Sequence, residues 1–137
     1  KELAQMLKDP AQVSLEQVMA WTKNDPPVTV VAPLLLASHK AKEATPVDVG
    51  FAKYLKDKKW VPDLNQLKIL ATHPDTYTRL FAYDQIYALK DAETARDFLS
   101  IAITREQDPQ NKKLLEQMIL DLNREPLAGS PGTQSNG

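Results

Sequence analysis

Histidine can bind a metal or move a proton near neutral pH, and this chain has two, His39 and His73. A zinc site needs a third or fourth ligand at turn or helical spacing, as in H-E-x-x-H, and the sequence offers none. His39 stands beside Lys40 and Lys42 at what reads as a helix C-terminus, where a cationic ring complements the helix dipole. His73 directly precedes Pro74 at a helix boundary, so both rings are expected to act as caps. The serine hydroxyls are those of Ser14, Ser38, Ser100, Ser130 and Ser135. None lies in a G-x-S-x-G elbow, and Ser38 with its neighbour His39 on one helix does not make a nucleophile–base pair. With no Cys there is neither a thiolate nucleophile nor a cysteine metal site. The carboxylates are dispersed as caps and helix-face partners. Gly50 stands alone inside a helical pattern, so no glycine-rich loop cradles a phosphate. The expectation is no catalytic residue, no metal and no cofactor. The chain is not expected to be an enzyme.

Basic and aromatic surface is the other place for function. Lys53-Tyr54-Leu55-Lys56-Asp57-Lys58-Lys59-Trp60 concentrates positive charge. Such a helix end could meet phosphates and stack on bases, or lie on an anionic membrane. The favoured reading is a solvated helix C-terminus whose lysines complement the dipole while Trp60 packs into the next loop. Tyr77, Phe81, Tyr83 and Tyr87 crowd a single helix; Tyr77 pairs with Phe81 and Tyr83 with Tyr87 at i,i+4, which predicts one pair on each of two faces. One face must meet the core, and the other leaves aromatic surface of the kind that anchors protein interfaces. Trp60, Tyr77, Tyr83 and Tyr87 are therefore the candidate partner-binding residues.

Helices must position these groups. Thr45-Pro46, Asp108-Pro109 and Asp25-Pro26 read as starts, with proline placed where its missing N–H costs nothing. Ser14 with Gln17, and Asp63 with Gln66, have capping-box spacing, and Asp91 with Glu93 opens another helix. These signals predict helices near Glu2–Lys8, Ser14–Asn24, Pro27–Ala41, Pro46–Lys58, Asp63–Thr72, Pro74–Lys90, Ala92–Glu106 and Pro109–Asn123. Ala95, Phe98, Leu99, Ala102 and Ile103 share one face, as do Leu114, Leu115, Met118, Ile119 and Leu122 on the next helix. Val28-Thr29-Val30-Val31 is β-branched and Pro33 follows it; a kinked helix is favoured over a short strand because no alternating partner is near. From Arg124 onward come three of the four glycines and two prolines, which reads as a flexible tail over 124–137 after a single helical domain over 1–123.

Composition limits the function classes. The chain has 137 residues, 42% of them hydrophobic, and a formal net charge of −1. That excludes wholesale disorder and argues against a general nucleic-acid binder. The longest apolar run, Val30 to Ala37, is far short of the roughly 20 residues a membrane span needs. The first residue is Lys1 rather than Met, as expected of a processed or trimmed chain. With no Cys and a flexible tail, the reading leans to a bacterial periplasmic or envelope protein, such as a lipoprotein assisting a secretion or assembly complex. Membrane attachment would then come only from a removed N-terminal lipid anchor.

A repeat is legible in the C-terminal half. From Pro74 to Pro109 the period is 109 − 74 = 35 residues, within the range of helical repeats. Asp75, Arg79, Ala82, Leu89 and Asp91 follow one another as start, arginine, close-contact alanine and break, although Pro74-Asp75 reverses the usual Asp-Pro order. The pattern restarts at Asp108-Pro109, with Lys112 or Lys113 in place of the arginine. Over residues 72–123 the chain resembles HEAT-like repeats. The resemblance implies an all-α fold, a short irregular helical repeat or superhelical bundle of antiparallel helix pairs. It also implies a surface for another protein. The expected function is a non-catalytic helical adaptor or scaffold that binds a partner protein or peptide; the alternative is an accessory subunit or enzyme with a site between helices.

Overall fold

The computed structural model describes residues 2–129. Eight α-helices make up the described residues together with two short 3-10 segments, Pro10–Gln12 and Ser38–Lys40, and no strand is present among them. The helices are α1 (Glu2–Lys8), α2 (Leu15–Thr22), α3 (Val28–Ala37), α4 (Pro46–Asp57), α5 (Leu64–Leu70), α6 (Thr76–Tyr87), α7 (Ala92–Arg105) and α8 (Pro109–Gly129). The fold is all-α. Two compact units divide after Ala82, inside α6.

Local chemistry explains the starts. Ser14 Oγ accepts the Gln17 N–H at 3.1 Å while Gln17 Oε1 accepts the Ser14 N–H at 2.8 Å, and Asp63 and Gln66 repeat the exchange before α5. Asp91 Oδ1 accepts the N–H groups of Glu93 and Thr94 at α7, and Asp108 Oδ2 that of Asn111 at α8. Asp25 behaves differently from the start signal read in the sequence. It has a φ of 57°, and the residue before α3 is Pro27. The Asp25 carboxylate faces α4 instead, where it accepts the Tyr54 O–H at 3.1 Å and ion-pairs with Lys58. The β-branched segment is helical, with Pro33 inside α3 at an exposed position. Flanking residues Val31, Ala32 and Leu35 are buried, so packing outweighs the weak helix propensity of the run. The last helix runs past Asn123 to Gly129; the rest of the expected tail, residues 130–137, lies outside the described residues.

In the first unit α2 and α3 pack on α4, α3 also meets α5, and α1 meets α2. Val18, Val31, Leu35, Phe51, Leu55, Leu67 and Leu70 form the core. Gly50 sits where α2 crosses α4. A Cβ there would lie 2.3 Å from Val18 Cγ1, so only glycine lets the helices approach this closely. Trp21 then packs against Phe51 with centroids 5.8 Å apart.

In the second unit α7 packs on α8. Ala95, Leu99 and Ala102 are buried on α7, and Leu115 and Leu122 on α8. Each leucine taken out of water in this way contributes about 1.5–3 kcal/mol. The α8 stripe is narrower than its sequence pattern: Leu114 is exposed, while Asn111, one turn before Leu115, is buried. Among the described residues no helix is long and apolar enough to cross a membrane.

Candidate functional site

Two groups of side chains in the first unit could carry function. The first is a buried polar cluster around His73, which is fully enclosed between α5 and α6. Its Nδ1 accepts the Asp75 N–H at 3.0 Å, and its Nε2 lies 2.7 Å from Ser38 Oγ. Asp48, on α4, places Oδ1 3.8 Å from the same Nε2 and uses Oδ2 to accept the Thr45 N–H at 2.9 Å. Asp75 caps α6, its Oδ2 accepting both the N–H and the hydroxyl of Thr78. Arg79 donates to the carbonyls of His73 and Pro74 at 3.0 and 3.1 Å.

Serine, histidine and aspartate so close together invite comparison with a nucleophile–base pair, and the hydrogen bonds argue against it. An Nδ1 that accepts from a backbone N–H carries no proton, so in the neutral ring Nε2 holds the hydrogen. That hydrogen points at Ser38 Oγ, and the Ser38 hydroxyl donates in turn to the Leu35 carbonyl at 2.9 Å. His73 is a donor to Ser38 and has no lone pair with which to take its proton. Burial pushes the ring below the ordinary histidine value, outweighing the nearby carboxylates of Asp48 and Asp75, which pull it upward. A neutral imidazole with both nitrogens engaged therefore ties the end of α3 to the turn into α6. Among the described residues no group of three or more His, Cys, Asp or Glu is arranged to hold a metal ion.

His39 fits its expected cap. It lies in the segment that ends α3, with Nδ1 2.8 Å from the Leu36 carbonyl. His73 exceeds that expectation, because besides binding the Asp75 N–H at the start of α6 it reaches 35 positions back to Ser38. Its signal was absent from sequence spacing, since Ser38, Asp48 and His73 meet only through tertiary packing.

The second group is a surface strip at the α4–α5 corner. Trp60 turns back onto α6 and stacks on Phe81, with centroids 6.0 Å apart and planes 12° from parallel. Lys53 Nζ sits 4.8 Å above the ring of Tyr77, one turn before Phe81. Val61 follows Trp60 and is 76% exposed, and Leu64 opens α5 at 38%. Trp60 and Tyr77 are half-buried, each with one face against the protein.

The four aromatic candidates thus separate. Trp60 and Tyr77 belong to this strip. Tyr83 is 1% exposed, its hydroxyl donating to Glu106 at 2.5 Å, and it offers no surface to a partner. Tyr87 is half-buried in the second unit and donates to Asp121, whose carboxyl is held below its usual value by that bond and by Arg124. The expectation that one aromatic face meets the core while the other is left to solvent is also revised. Phe81 and Tyr83 are the buried members, and each pair keeps one ring partly in solvent. Sequence reasoning missed Val61 and Leu64; two apolar residues flanking a Pro-Asp turn were the available signal.

No protein-family model, curated protein or solved structure matches the chain. The likeness to HEAT-like repeats accordingly rests on the residues of 72–123 alone.

Proposed function

We propose that this chain is a non-catalytic helical adaptor that docks a partner protein or peptide on the α4–α5 corner of its first unit. Val61 carries the reading. It is 76% exposed, next to half-buried Trp60 and three positions before exposed Leu64, and a folded chain gains nothing from leaving such apolar surface in water. Trp60 stacks on Phe81, a contact that limits the rotamers it would lose on binding, as suits an interface anchor. The closed hydrogen bonding of His73 and Ser38 gives no support to the alternative of an enzyme with a site between helices.

A HEAT-like arrangement belongs to the same proposal. The bond from Arg96, early in α7, to the Leu122 carbonyl, late in α8, at 3.0 Å supports an antiparallel pair. Photo-crosslinking in the native cell from a reactive residue placed at position 61 tests the docking surface. A discrete adduct to one protein species is expected, absent when the same probe replaces exposed Lys8. Equal labelling from both positions would contradict the proposal.

A further inference from the structure

Around the apolar strip exposed lysines outnumber carboxylates. Lys53, Lys56 and Lys59 are exposed on the α4 side, and Lys68 follows Leu64 by one turn on the same face of α5. Lys58 is taken up by its pairing with Asp25. The acids of the same stretch are Asp57 and Asp63, and the Asp63 carboxylate is engaged with the Gln66 N–H at the start of α5. The corner is therefore positive in a chain whose formal net charge is −1. Five of the 17 Lys and Arg residues lie between positions 53 and 68, against two of the 18 Asp and Glu.

We infer that the occupant of this corner is an acidic protein segment, a stretch of Asp or Glu carrying one large apolar side chain; the inference rests on the docking reading above. The apolar side chain lies across Trp60, Val61 and Leu64, while its flanking carboxylates meet Lys53, Lys56, Lys59 and Lys68. Complementary charge at the rim speeds encounter and fixes register, and the apolar centre supplies the lasting contact. Phosphate polymers fit this surface less well. Val61 and Leu64 have no flat face to stack on bases, and a few lysines neutralise only a short length of backbone. An anionic bilayer needs a long amphipathic face, whereas the apolar residues here occupy one turn.

The test maps by mass spectrometry the segment captured from position 61 in the native cell and repeats the capture in two variants of the full chain. The segment is expected to be net negative with a large apolar residue. Lys53→Glu, Lys56→Glu and Lys59→Glu together are expected to lower the yield by about tenfold, and added salt to lower it further. The same three positions changed to Arg are expected to retain it. Circular dichroism of each variant reports folding; the Arg variant and the salt dependence of the unaltered chain carry the test if the Glu variant unfolds. A neutral or basic captured segment, or a yield indifferent to charge reversal and salt, overturns the acidic occupant while leaving the docking surface in place. Capture of no protein overturns the docking reading itself. Binding of the purified chain to vesicles of equal parts phosphatidylglycerol and phosphatidylcholine, or to polyuridylic acid, lost in the Glu variant, overturns the inference in favour of a phosphate surface.

Discussion

His73 Nε2 and Ser38 Oγ are joined at 2.7 Å, with the imidazole as donor and the hydroxyl passing the chain on to the Leu35 carbonyl. Because burial is the main influence on His73, its folded-state value lies below the unfolded one near 6.5. The unfolded chain then binds more protons below that pH than the native chain does. Stability is expected to be full above about pH 6.5 and to fall as the pH drops through the depressed folded value. Urea midpoints measured from neutral to mildly acidic pH check this. His73→Gln should flatten that part of the profile, and an equally steep fall in the variant would assign it to other groups.

Gly50 is expected to tolerate no side chain. Alanine would gain about 1 kcal/mol of helix propensity. Its Cβ would also stand 2.8 Å from Val18 Cβ and 2.3 Å from Cγ1, and a β-branched side chain in a packed interface has little freedom to retreat. Overpacking costs about 1–3 kcal/mol or more, so Gly50→Ala should be net destabilising, with a lowered urea midpoint. Gly50→Ala with Val18→Ala should recover part of the loss, because it removes Cγ1, the nearer of the two atoms, while Cβ stays.

Tyr83→Phe and Tyr87→Phe should differ although each removes one phenol hydroxyl from a carboxylate. Glu106 is buried, and its other oxygen accepts the Asp108 N–H at 2.9 Å. Removing the Tyr83 donor is expected to cost about 1–3 kcal/mol. Asp121 is solvated and keeps Arg124 at 2.8 Å, so Tyr87→Phe should leave the thermal midpoint unchanged. Equal effects in the two variants would contradict the burial difference.

The helices were legible because their signals are local. Ser14, Asp63, Asp91 and Asp108 occupy the caps their spacing indicates, and buried Leu99 and Leu115 follow helical periodicity. Asp25 was misread as a helix start because a Pro follows it; its partners Tyr54 and Lys58 are about thirty positions away and left no local trace. The same holds for the candidate sites. Lys53 over Tyr77 and Trp60 on Phe81 depend on how α4 meets α6, which no pattern along one helix encodes. Tyr83 was read as an anchor because its i,i+4 pairing with Tyr87 defines an aromatic face, and burial with Glu106 is a tertiary outcome.

Co-purification of the full chain with its crosslinked partner, comparing the unaltered protein with Val61→Asp and recording the melting temperature of both, tests the docking surface most directly. Val61 is mostly in solvent, so the melting temperature should not move, while an aspartate among apolar contacts should weaken partner binding about tenfold or more. An unchanged affinity in the folded variant would contradict docking at this corner.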